Sequence, residues 1–334
     1  MRDPGTGGHL VHRIVLALNI SRILVLRALG LGDLLTAVPA LRAVRAQYAG
    51  AHITVATPAV YRDLVALVQD PAGAPCIDEV IDTRGLTDPP RGPAPDLAIN
   101  LHGRGPQSID VCAATGARSI LTHAHPDRNI DGLAWDPDRH EVDRWCRLVN
   151  HGGAAADPRD LRIARPADIP RTADTVIVHP GAASNSRRWP ADRFAAVASR
   201  LAADGRRPVL TGGSAEVELC RSIADRAGLG PDAVLAGRLD LAHLAALVCD
   251  AQLVVCGDTG VAHLASAYGT PSVVLFGPTP PRLWGPPTDG PHTVLWSGRT
   301  GDPHASTVDP GLLEITVPDV LAAIRDTGSR RGRP

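Results

Sequence analysis

Asp258 stands in the turn Gly257-Asp258-Thr259-Gly260, and His263 follows Thr259 by four residues. The turn precedes a segment of helical spacing, Val261 to Tyr268, so it marks a helix amino end. Free backbone N–H groups and the positive end of the helix dipole gather there. Such an end holds a phosphate without a lysine. The chain contains no lysine, and all 34 basic residues are arginine. His263 lies one helical turn on and faces the same space. The same stretch also reads as an ordinary crossover turn with a capped helix and a structural histidine.

Three further turns carry candidate groups. Gly30-Leu31-Gly32-Asp33 presents an acid after an apolar run. Asp33 serves there either as a helix cap or as a general base. Gly181-Ala182-Ala183-Ser184-Asn185-Ser186-Arg187-Arg188-Trp189-Pro190 pairs small residues with two guanidinium groups. Its small residues admit a ligand to the backbone, and its arginines offer the fork that suits phosphate. Thr211-Gly212-Gly213-Ser214-Ala215-Glu216 places a carboxylate where it accepts from ribose hydroxyls or simply opens a helix.

The elements that position these turns alternate along the chain. Apolar runs at 22–27, 52–57, 79–82, 96–101 and 118–122 read as strands, with helices at 34–48, 60–68 and 139–150. Pro39 is expected to kink the first helix. Residues 84–95 read as a loop. A proline-marked stretch, 157–172, reads as the linker. Strands follow at 175–179, 207–211, 233–236, 252–256 and 272–276, and helices at 190–203, 215–227, 240–249 and 261–268. Two α/β domains with parallel sheets follow, spanning 1–157 and 173–334 around a 158–172 linker. A last helix is expected to pack back on the first domain. The default ligand site is the cleft between two such domains. Residues 279–310 read as a long irregular loop covering a bound ligand.

Composition excludes several classes. Net charge is −1, and ten aromatic residues (two Phe, five Trp, three Tyr) include no run interleaved with basic ones, so nucleic acid is not expected as a partner. Cysteines 76, 112, 146, 220, 249 and 256 form no C-x-x-C pair, against a zinc site or disulfide framework and in favour of a reducing cytoplasm. The apolar segment 10–26 is broken by Arg13 and Arg22 and reads as neither signal peptide nor membrane span. Residues 1–21 read as an added segment, and the basic tail Arg330-Arg331-Gly332-Arg333-Pro334 as frayed. A dinucleotide fold is disfavoured, because Leu35 occupies the third glycine position and no acid ends the second strand.

Taken in order, ILVLRALGLGDLLTAVPALRAVRAQY, VIVHPGAASNSRRWPADRFAAVASRL, TGGSAE and CGDTGVAHLASAYGTPSVVLFGPT resemble glycosyltransferase family 9, the heptosyltransferases. The resemblance covers roughly residues 22–328. It implies a GT-B architecture, two Rossmann-like domains facing across a cleft, with the donor mainly on the second and the acceptor on the first. It implies inverting transfer of a heptosyl or related sugar from a nucleotide diphosphate, ADP-heptose first, with Asp33 as base and with neither cofactor nor metal ion. It assigns donor contacts to Gly32, Ser184, Arg187, Glu216, Asp258, Thr259, Gly260 and His263, with Glu218 the rival of Glu216. Arg187 stands where the family often has lysine. The implied partners are the nucleotide sugar and a glycan, glycolipid or small-molecule acceptor, with at most peripheral membrane contact. The competing readings are an epimerase on the same plan, which needs further acids and a histidine at the anomeric centre, a non-catalytic binding protein, and an NAD dehydrogenase.

Overall fold

The structure is a computed structural model and describes residues 20–172 and 174–330. The described chain forms two compact units. The first contains 20–29, 39–137 and 143–158, and the second contains 30–38, 138–142, 159–172 and 174–330. The expectations for residues 1–19 and 331–334 lie outside the described residues.

The first unit is built on β1 (Arg22–Leu26), β2 (His52–Thr57), β3 (Glu79–Asp82), β4 (Leu97–Asn100) and β5 (Ser119–Leu121). All pair in parallel in the order β3-β2-β1-β4-β5. Val25 lies level with Val55 and Ile99, and all three are fully buried. A central parallel strand is covered on both faces, so its sequence is a continuous apolar run rather than an alternation.

The second unit repeats the plan with β6 (Thr175–His179), β7 (Arg207–Leu210), β8 (Leu253–Gly257), β9 (Ser272–Leu275) and β10 (His292–Leu295), in the order β10-β9-β8-β6-β7. The helices, in chain order, are α1 (Leu31–Thr36), α2 (Val38–Gln47), α3 (Arg62–Ala66), α4 (Pro106–Ala114), α5 (Glu141–His151), α6 (Ala191–Ala203), α7 (Val217–Ala227), α8 (Leu241–Asp250), α9 (Gly260–Tyr268), α10 (Pro281–Trp284), α11 (Pro310–Glu314) and α12 (Val317–Arg330). Val320, Ala323 and Ile324 of α12 join the core of the second unit beside Phe194, Leu201 and Val273.

Four expectations are corrected. Pro39 does not kink one helix: Ala37 closes α1 and a new helix begins at Val38, because a proline lacks the N–H that would continue the ladder and tolerates only the first turn. The strand expected at 233–236 is a helical turn, Pro231–Ala233, followed by a single bridge from Val234 to Leu210. Residues 279–310 are not uniformly irregular: they contain α10 and β10, whose His292-Thr293-Val294-Leu295 run completes the β9 edge of the sheet. Helix α4 was unforeseen, although Gly105 followed by Pro106 is a legitimate helix start.

The stretch expected to be a linker is fastened down from Ala164 onward. Arg165 donates through Nε and Nη2 to both oxygens of Asp250, at 3.0 and 2.8 Å. Its Nη1 donates to the carbonyls of Pro166 and Ile169. The Tyr268 hydroxyl donates to the Ala164 carbonyl at 3.1 Å.

Candidate functional site

The carboxyl ends of β6, β7 and β8 are adjacent in the second sheet, and three of the four turns singled out above leave from them. Backbone ligand sites in sheets of this kind form at those ends. The fourth turn, with α1, belongs by its contacts to the same unit and packs on α9.

That packing is allowed by two glycines. A Cβ on Gly32 would stand 2.7 Å from Cδ2 of His263, and one on Gly260 would stand 2.8 Å from Cβ of Leu31. The turn carrying Asp33 therefore lies directly against the first turn of α9. Asp33 is half-buried, and its Oδ2 accepts the Gly30 N–H at 3.2 Å. Of the two uses expected from sequence, this bond is the helix cap.

Asp258 directly follows β8 and is 6 % exposed. Burial pushes its carboxyl up to about 6, the Arg187 guanidinium opposes the rise, and the negative charge of Asp33 adds to it. Arg187 Nη1 lies 3.7 Å from Asp258 Oδ2 and donates to the Asp258 carbonyl at 3.4 Å. Its Nε donates to Ser184 Oγ at 3.4 Å. Ser184 in turn shares a hydrogen bond with Ser186 and donates to the Pro303 carbonyl. The arginine is therefore held at the start of α9 by groups in the turns that follow β6 and β8. Thr259 is the residue before α9, and its Oγ1 is buried without a hydrogen-bond partner. An orphaned hydroxyl beside helix-end amides is a donor in waiting for an anion.

Glu216 and Glu218 differ in position. Glu218 is exposed and pairs with Arg221 on the same helix at 2.6 Å. The Glu216 carboxylate occupies the space that a side chain at Gly181 or Gly212 would fill, and it accepts the Gly213 N–H at 2.8 Å. A Cβ at Gly181 would fall 1.8 Å from Glu216 Oε1. Gly181→Ala should accordingly weaken nucleotide binding as much as Glu216→Ala does. Titration of both variants with ADP checks this, and full affinity in Gly181→Ala would remove Glu216 from the site.

Sequence reasoning missed His179. It ends β6, and its Nδ1 lies 3.0 Å from Thr211 Oγ1. Burial holds it below the usual histidine range against the opposing pull of Glu216. A histidine closing an otherwise apolar buried strand, just before Pro180-Gly181, was the available signal. Trp189 has a structural part: its indole N–H donates to the Ile315 carbonyl at 2.9 Å and its ring meets Phe194 edge-on.

Among the described residues no group of three or more His, Cys, Asp or Glu is placed to hold a metal ion. No described helix is long and apolar enough to cross a membrane.

Residues 135–310 match glycosyltransferase family 9 (heptosyltransferase). Lipopolysaccharide heptosyltransferase 3 of Escherichia coli is 35% identical over 155 residues, which is 45% of this chain and 45% of that protein. The chain thus spans about half the length of that relative. The fold matches the family 9 glycosyl transferase of Veillonella parvula DSM 2008 with a TM-score of 0.76 at 22% identity, over 94% of this chain and 99% of that one. It matches the E. coli heptosyltransferase WaaC, solved with ADP, at 0.69 and 18% identity, over 92% and 99%. It also matches the iron-containing dodecameric glycosyltransferase TibC of enterotoxigenic E. coli H10407 at 0.63 and 15% identity, over 93% and 77%. The two parallel five-stranded sheets are the GT-B-like pair that the resemblance implied. A family match across more than half of the chain, on a fold of that kind, decides the matter: the protein belongs to glycosyltransferase family 9, the heptosyltransferases, and is a glycosyltransferase.

Proposed function

We propose that this chain moves a heptosyl or related sugar, with inversion, from a nucleotide diphosphate donor to an acceptor hydroxyl. The carrying observation is that Arg187, buried Asp258 and the first turn of α9 meet at one point, with Asp33 packed beside them. ADP-heptose is the donor this reading favours. The diphosphate takes the α9 amides, Thr259 and Gly260, and Arg187, while Glu216 accepts from the ribose. Gly32 and His263 border the sugar end. Asp33 removes the proton as the acceptor oxygen attacks the anomeric carbon. The bond from that carbon to the diphosphate breaks, and the new phosphate charge falls on Arg187 and the helix end. We assign no step to a metal ion, and turnover is expected to survive a chelator. The reading places the enzyme in the cytoplasm with at most peripheral membrane contact. The acceptor is a glycan, a glycolipid or a small molecule.

Calorimetric titration with ADP-heptose, GDP-heptose, UDP-glucose and NAD in parallel tests the donor. One heptose nucleotide should bind selectively, and binding of NAD alone would sink the assignment. The same titration has a predicted pH dependence. Asp258 sits near 6 without ligand. A diphosphate beside it raises that value further, so binding takes up a proton. Affinity for ADP-heptose should therefore rise as pH falls from 8 toward 6, by at most about tenfold per unit, and level off below. Asp258→Asn should flatten the profile.

A further inference from the structure

Trp284 closes α10, and its indole meets the His263 imidazole edge-on, with ring centroids 5.9 Å apart and planes at 72°. The same imidazole fills the space in front of Gly32. Trp284, His263 and the turn carrying Asp33 therefore form one contiguous set of groups.

The segment that carries Trp284 is fixed from outside. Arg282 Nη2 donates to Asp138 Oδ1 at 2.7 Å. His140 Nδ1 accepts the Val142 N–H at 3.3 Å, which leaves its Nε2–H to donate to the Gly285 carbonyl at 3.0 Å. Around these anchors the chain reads Pro280-Pro281 and Gly285-Pro286-Pro287, with little backbone freedom left. A long surface segment built this stiffly holds its aromatic side chain in a set position.

The indole itself is not fully used by the protein. Trp189 donates its N–H to Ile315, and Trp296 donates to Gly277 and Arg299. Among the described residues the Trp284 N–H has no hydrogen-bond acceptor, and its side chain is half-buried. An apolar ring face with a spare donor at one edge is complementary to a pyranose, which offers C–H groups on its face and hydroxyls on its rim.

We propose that Trp284 is the platform for the transferred sugar: the pyranose ring of the nucleotide-linked sugar rests on its indole beside His263, and a ring hydroxyl accepts its N–H. This rests on the donor site proposed above, and it goes further by giving the sugar its own recognition group.

The test compares ADP-heptose with ADP, which lacks the sugar, on the whole chain. Affinities are measured by calorimetry for the wild type, Trp284→Leu and Trp284→Phe. Trp284→Leu should weaken ADP-heptose by about tenfold and ADP by less than about twofold. Trp284→Phe, which keeps a ring but loses the N–H, should fall between. In the wild type ADP-heptose should also perturb tryptophan fluorescence more than ADP does, and Trp284→Phe should abolish that excess. Equal weakening of both ligands would mean that Trp284 only supports His263, and the proposal would be overturned. Unchanged affinities would overturn it too. If the wild type binds neither ligand, the donor reading fails and the platform fails with it. A wild type that prefers ADP-heptose, with the same preference in Trp284→Leu, fails the platform alone.

Discussion

Asp33→Asn should lower turnover by about 10²–10⁴-fold while leaving ADP-heptose affinity within a few-fold of the wild type. The choice of asparagine matters. Asp33 accepts the Gly30 N–H through Oδ2, and an amide oxygen keeps that bond and the start of α1 intact. Asp33→Ala would remove the cap together with the base and confuse the two losses. Affinity is expected to hold for an electrostatic reason as well. The charge of Asp33 raises the Asp258 carboxyl and disfavours a neighbouring diphosphate, so its removal relieves repulsion rather than creating it. Single-turnover kinetics beside donor titration separates the two quantities. Undiminished turnover in Asp33→Asn would remove Asp33 from the chemistry. Loss of donor binding in step with the rate would make it a binding group.

How much of this was legible in the sequence depended on how local its cause was. The β8-turn-α9-β9 unit was readable almost to the residue, because a β-branched run, a glycine-flanked turn and Gly269-Thr270-Pro271 are all decided by neighbours in the chain. β10 was not: its four residues are flanked by prolines and glycines, and they become a strand only because β9 offers an edge to pair with. α4 was hidden by the Gly103-Arg104-Gly105-Pro106 sequence before it, which reads as loop until the helix is seen to start at the proline.

The candidate site divides in the same way. Asp33, Asp258 and His263 were named because each stands at a recognisable turn. Their grouping was not legible. Arg187 and Asp258 are 71 residues apart, and the approach of α1 to α9 depends on two absent Cβ atoms, at Gly32 and Gly260. Nor can spacing separate Glu216 from Glu218, since both open the same helix. The Glu216 carboxylate alone lies over Gly181 and Gly212, and that space exists only once β6 and β7 are paired.

Asp250→Ala is expected to destabilise the second unit by about 3–5 kcal/mol, the cost of removing one partner from a buried ion pair. The Asp250 side chain is 4 % exposed, and it accepts from Arg165, Arg171 and the Thr172 N–H. Its hydrogen bonds from Arg165 come first among the causes that hold its carboxyl below the usual range. It is also the last residue of α8, where the negative end of the helix dipole disfavours an acid. The carboxylate is therefore at this position for its partners and not for the helix. Without it, Arg165 keeps its charge at 16 % exposure and loses both oxygens of its fork, and the 165–172 segment loses its anchor. The sign of the pH dependence follows. A lowered carboxyl stabilises the fold above its unfolded value near 4, and that stability disappears as acid protonates it. The variant should be less stable at neutral pH and should lose part of the wild type's acid sensitivity. Asp204→Ala is the matched control, because its pair with Arg200 is exposed on α6 and should cost less than about 1 kcal/mol. Urea unfolding at pH 7 and pH 3 measures all three proteins. A loss in Asp250→Ala no larger than in Asp204→Ala would show that the 157–172 stretch is a loose tether after all.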